Sequence, residues 1–203
     1  MTSNLTIGWQ NAPAQPEFEL PDAAGNHMAL LTWSPPTRPT DAGVPAALAR
    51  CLAATMCSAY RVTFFSHAAD GAGVAWEAKP RLWAQVQKRW LKRWPLVCTQ
   101  DPAIAETAFD EGWDTRGQTI FLTSPHEAPP TILAPRLQGD DLAALQALGA
   151  GQVQALVLPG VDGDCAGLYT STQATLSTLM NAISTECQRQ GIRTLQGAKS
   201  QEP

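Results

Sequence analysis

From residue 45 onward the apolar positions switch repeatedly between helical spacing and short continuous runs. Residues 45–58 carry Ala, Leu, Cys and Met on nearly every side, the pattern of a helix buried over most of its surface. Residues 62–65 follow as a short apolar run of strand type. Residues 79–94 return to helical spacing, with Trp83, Val86, Trp90 and Trp94 on one face, Arg81, Lys88 and Lys92 on the other, and Pro95 at the end. Residues 96–99 predict a strand. Asp101 and Pro102 then supply an N-cap and a first-turn proline for a helix that Gly112 can close. Strands are expected at 119–123 and 153–158, and a helix at 140–148 with Gly149 behind it. In the last helix, 171–190, Leu176, Leu179, Met180, Ile183 and Cys187 form one stripe, and Gly191 marks its end.

The first part of the chain reads as extended. Residues 5–9, 17–20 and 28–33 have strand composition, and the segment Asp22-Ala23-Ala24-Gly25-Asn26 between the last two is turn-rich, so a β-hairpin is expected there. Three prolines at 35, 36 and 39 break any ladder that would continue beyond it. Strands separated by helices imply an α/β fold: a mainly parallel sheet of about four to five strands, helices on both faces, and the N-terminal hairpin at an edge. The alternative is an α+β fold with a mixed sheet, which would follow if residues 131–133 paired back on 119–123. The expected organisation is a hairpin and linker over 1–39, an α/β domain over 40–196, and a tail from 197 to 203.

Composition narrows the class of protein. With 203 residues, 44% of them hydrophobic and 16% charged, the chain has enough apolar material for one core and too little charge for intrinsic disorder. The net charge of −4 hides an uneven distribution. Six of the fourteen Lys and Arg lie between Lys79 and Arg93, a stretch without acid, so the rest of the chain is strongly acidic. That balance argues against a nucleic-acid partner bound over the whole surface. Five cysteines with no C-x-x-C spacing fit a reducing compartment. The first ten residues lack the basic-then-apolar pattern of a secretory leader, and a cytoplasmic protein is expected.

In open α/β sheets ligands bind beyond the carboxyl ends of the strands, which singles out three polar segments. The first holds Ser66, His67 and Asp70. An imidazole that titrates near neutrality, with a carboxylate close by, suits general-base chemistry, so His67 and Asp70 are the candidate catalytic pair. The second holds His126 and Glu127 among prolines and reads as turn material. The third, Gly160 to Gly167, offers glycines that let a ligand approach the backbone. Its Asp162 and Asp164 suit a hard cation such as Mg²⁺, and its Cys165 stands ahead of a helix N-terminus. Gly160, Asp162, Gly163, Asp164 and Cys165, with Ser66, form the candidate ligand set. The spacing of the glycines matches neither a P-loop nor a dinucleotide fingerprint, and a glycine-rich turn held by Asp side chains is the simpler account of it.

Two functional expectations follow. One is a small polar or anionic ligand held at the carboxyl edge of the sheet, with catalysis left open. The other is a non-enzymatic interaction protein that docks an acidic partner through Arg81, Lys88, Arg89 and Lys92 of the Trp-rich segment. In a purely structural reading of that segment, the tryptophans pack on the sheet and the cations face water.

Overall fold

The computed structural model describes residues 4–10, 20–33, 45–65, 96–110, 119–125, 141–160 and 165–196. Their strands, in chain order, are β1 (Asn4–Gln10), β2 (His27–Trp33), β3 (Arg61–Phe65), β4 (Leu96–Thr99), β5 (Ile120–Thr123), β6 (Ala155–Pro159), β7 (Cys165–Thr170) and β8 (Arg193–Gln196). The helices are α1 (Ala46–Ala59), α2 (Pro102–Asp110), α3 (Asp141–Gly149) and α4 (Gln173–Arg189). All eight strands join one sheet in the order β4-β3-β5-β6-β7-β2-β1-β8. Every neighbouring pair is antiparallel except β1 with β8.

This corrects the expected mainly parallel sheet of four to five strands, and the mixed α+β alternative fits. The helical crossovers are present: β2-α1-β3, β4-α2-β5 and β7-α4-β8 each join strands that run the same way. Each crossover, however, skips at least one strand, so the strands it joins are never neighbours. The apolar runs misled for a physical reason. β5 and β7 are buried at every residue because helices or loops cover both faces, and a run of that kind reports two-sided burial without reporting strand direction.

The N-terminal hairpin also differs from expectation. β2 pairs with β1, Leu5 opposite Trp33; of the expected strand at 17–20 only Leu20 lies among the described residues, and it forms an isolated bridge. It is not at an edge either, because β8 lies outside β1 and β7 pairs with β2 on the other side. The expected turn does form: Ala24 and Gly25 have φ of 50° and 85°, and the Asn26 backbone N–H donates to the Ala23 carbonyl at 2.9 Å. Two consecutive positive φ values at the centre of a turn are the type I′ geometry.

One face of the sheet carries α1, α2 and α4, with α1 between the other two. Leu48, Leu52 and Met56 of α1, Phe109 of α2 and Ile183 of α4 meet Leu31, Val62, Phe64, Val157 and Leu168 of the strands. The alanine-rich face of α1 lets it lie close against its neighbours, and the helix is buried on most sides as expected. α4 buries the very stripe the spacing predicts, Leu176, Leu179, Met180, Ile183 and Cys187. It ends in a Schellman closure, in which Ile192 N–H donates to the Cys187 carbonyl at 2.8 Å and Gly191 N–H to the Gln188 carbonyl at 3.0 Å. Gly191 takes φ 77° there. α3 closes the same way two residues later than expected, with Gly151 at φ 71° in the left-handed position and Gly149 inside the helix.

The opposite face is covered by α3 and by residues 20–23. Leu145 and Leu148 pack with Leu20, Met28, Leu30, Phe121, Leu156 and Tyr169. Tyr169 lies back over Gly167, and a Cβ at 167 would sit 2.5 Å from its ring. The hydroxyl donates to the Pro21 carbonyl at 3.0 Å, tying β7 to the segment before β2. Asn26 ties the turn to the helix: its side-chain amide donates to the Ala23 carbonyl at 2.9 Å and to the Leu145 carbonyl at 3.2 Å.

Candidate functional site

An antiparallel sheet has no common carboxyl edge, so the loop rule that selected the three polar segments does not apply to this fold. β3 and β6 end at the same end of the sheet, where β7 begins; β5 ends at the other, with its first residue at the β3 end. Ser124 and Pro125, which lead into His126 and Glu127, are therefore at the opposite end from Phe65 and Gly160. There, the Arg61 guanidinium donates to the Pro125 carbonyl at 3.0 Å and pins the chain as it leaves β5.

At the shared end, Phe65 opens the segment with Ser66, His67 and Asp70, while Gly160 and Cys165 flank the one with Asp162, Gly163 and Asp164. The strands that carry these two segments are not neighbours. β5 lies between β3 and β6, which separates the attachment points by two strand spacings, about 10 Å. Ser66, His67, Asp70, Asp162, Gly163 and Asp164 themselves lie outside the described residues, as do Arg81, Lys88, Arg89 and Lys92. His126 and Glu127, the expected helix at 79–94 and the strand at 131–133 lie outside them too.

The last glycine-rich segment is a hairpin connection and not a strand-to-helix loop. Gly160 N–H donates to the Cys165 carbonyl at 3.0 Å, and β7 runs antiparallel to β6 from there. Cys165 is the first residue of β7, is 1% exposed, and packs among Met28, Leu30 and Phe121. The helix that follows starts only after Thr172, at the far end of β7, about 20 Å away at strand rise. The expected effect of a helix N-terminus on Cys165 is thereby removed. Cys51, Cys57 and Cys187 are core residues, as their helical positions predict, and all five cysteines are buried.

The buried polar side chains among the described residues are all threonines. Thr99 Oγ1 accepts from the Asp101 N–H at 2.9 Å, and the Thr170 hydroxyl donates to the Thr172 carbonyl at 2.8 Å. Asp101 acts as the predicted N-cap of α2, its carboxylate accepting from Ala103 N–H at 2.9 Å. On the α3 face of the sheet, the Thr63 hydroxyl donates to Cys98 Sγ at 3.3 Å. The Thr123 hydroxyl, 2% exposed at the end of β5, has no hydrogen-bond partner among the described residues. These threonines lie on different strands, Thr63 on β3, Thr99 on β4, Thr123 on β5 and Thr170 on β7, and no spacing in the sequence groups them.

Charge among the described residues sits at the surface. The best-formed ionic contact is on α4, where the Arg189 guanidinium donates to both Glu186 carboxylate oxygens at 2.8 and 2.7 Å and Gln190 adds a bond at 2.6 Å. These bonds hold the Glu186 carboxyl down to about 2. Among the described residues, no group of three His, Cys, Asp or Glu is placed to hold a metal ion, and no helix is long and apolar enough to cross a membrane. Compared with known proteins, the chain matches no family model, no curated protein and no solved structure.

Proposed function

We propose that the chain is a cytoplasmic interaction protein that binds an acidic protein segment through residues 66–95, and that the sheet acts as its scaffold. The observation that carries this reading is the pairing of Phe65 with Leu96. β3 and β4 are antiparallel neighbours whose ladder reaches the last residue of one and the first of the other. Two to five residues suffice to join such strands, and a connection of roughly thirty is of the length that functional insertions have. This connection contains Arg81, Lys88, Arg89 and Lys92 together with four of the seven tryptophans, while the rest of the chain is acidic. Cations beside aromatic rings favour carboxylates through charge and favour the partner's apolar side chains through contact area.

The test uses a fluorescein-labelled acidic peptide, with single-stranded DNA and anionic vesicles as competitors for the same basic residues. The reading predicts saturable peptide binding that weakens about tenfold when salt is raised well above physiological strength, as expected for exposed charge pairs. Binding to DNA or vesicles with no binding to the peptide overturns it.

A second reading has one observation in its favour. The segments with His67 and Asp70 and with Asp162 and Asp164 leave the sheet at the same end. A small anionic ligand, with Mg²⁺ held by the two aspartates, would bridge them across the start of β5. This reading predicts that a metabolite or Mg²⁺ raises the melting temperature of the protein, and that Asp162→Ala with Asp164→Ala removes the rise. A panel that moves nothing sets it aside.

A further inference from the structure

The two edges of the sheet differ. β4 ends one side, and its Val97, Cys98 and Thr99 are 1%, 5% and 0% exposed, so its side chains are enclosed on both faces. β8 ends the other side, and among the described residues no strand pairs beyond it. The strand is held in place from within the fold. The closure at Gly191 and the buried Ile192 fix where it begins. Thr194 turns toward α4, where its hydroxyl oxygen accepts from the Gln188 amide at 3.1 Å and shares a hydrogen bond with the Ser184 hydroxyl at 3.0 Å. Alternation then puts Arg193 and Leu195 on the other face, beside Asn4 and Thr6 of β1. The apolar cluster under α3 draws no member from β1 or β8, so it does not cover them. Leu195 is 40% exposed, and the exposed Arg193 side chain makes no hydrogen bond or ion pair with the described residues.

We propose that the outer edge of β8 takes up an extended peptide of a partner protein as a further, antiparallel strand, and that this peptide carries an apolar residue two positions before an acidic one. An edge strand offers a row of backbone N–H and C=O groups to a strand laid beside it; the ladder supplies affinity, and alternate side chains supply specificity. In an antiparallel ladder the residue opposite Leu195 comes two places before the residue opposite Arg193. An apolar side chain against Leu195 and a carboxylate against Arg193 complete both positions on the same face. Charge selects a partner peptide over a second copy of the chain. Arg193–Gln196 contains no acid, so pairing β8 with itself leaves Arg193 without a carboxylate. The edge lies across the whole sheet from β3 and β4, the strands that residues 66–95 join, and it reads an alternating extended pattern where that connection reads net charge.

The full chain is titrated by calorimetry with a short threonine-rich peptide in which a leucine precedes an aspartate by two positions, with the same peptide carrying lysine for aspartate, and with a form whose ladder amides are N-methylated. The expected result is saturable binding of the aspartate peptide, no binding of the N-methylated form, and a preference for aspartate over lysine of about fivefold. Arg193→Glu should invert that preference, and Leu195→Ala should weaken both peptides several-fold. A peptide held by the basic connection would favour aspartate in parent and variant alike, so a preference that Arg193→Glu leaves unchanged overturns the proposal. Undiminished binding of the N-methylated form overturns it too, as does a protein that sediments as a dimer and binds neither peptide.

Discussion

The two faces of the sheet are held by different means. On the face under α1, α2 and α4 the contacts are aliphatic and aromatic side chains from every layer, such as Leu52, Phe64, Phe109 and Ile183. On the α3 face a smaller apolar cluster is fixed by directional bonds: Tyr169 to Pro21, Asn26 to Leu145 and Ala23, and Thr63 to Cys98. The first face spreads its stability over many non-directional contacts, and the second concentrates it in a few polar anchors. Apolar burial yields roughly 25 cal/mol per Å² regardless of orientation, whereas a hydrogen bond contributes about 1 kcal/mol and only at the right geometry. The three-helix face should therefore respond to lost volume, and the α3 face to small changes of shape.

The largest effect should come from Phe64→Ala, which empties a site 1% exposed between the helices and the sheet; chemical denaturation should show a loss of about 3–5 kcal/mol. Next is Gly167→Ala, which pushes the Tyr169 ring off its seat and strains the bond to Pro21, costing about 1–3 kcal/mol. The sharper form is a double-mutant cycle with Tyr169→Ala. Once the ring is gone the added methyl should cost almost nothing, and additive losses would show that the ring does not rest on the glycine.

Ala24→Gly acts in the opposite direction. An alanine at φ 50° is strained, so glycine should stabilise by about 0.5–1 kcal/mol, read as a raised denaturation midpoint. The smallest effect belongs to Glu186. Its folded carboxyl titrates at about 2, below the unfolded value of about 4.3, so its contribution is present above pH 4.3 and fades as pH falls toward 2. Glu186→Gln should flatten that part of the stability profile. Arg189 is largely exposed, so the change should be small and should shrink further with salt.

Local structure was legible in the sequence where one element carries its own signal. The α4 stripe, the Asp101 cap, β4 and the turn at Ala24 and Gly25 all appear where spacing and turn chemistry put them. The failures are cases in which the deciding partner is distant. β7 looks like a glycine-rich loop because Gly167 leaves its place on the strand to the ring of Tyr169, and β8 is four residues long with no run to mark it. Sheet order escaped for the same reason, since residues buried on both faces read alike in parallel and antiparallel ladders.

The central functional claim is that binding resides in the basic connection and stability in the sheet. The triple variant Lys88→Glu, Arg89→Glu, Lys92→Glu tests it most directly, with melting temperature and acidic-peptide affinity measured on the same sample. The account predicts a melting temperature within a few degrees of the parent and loss of peptide binding. Retained binding would contradict it.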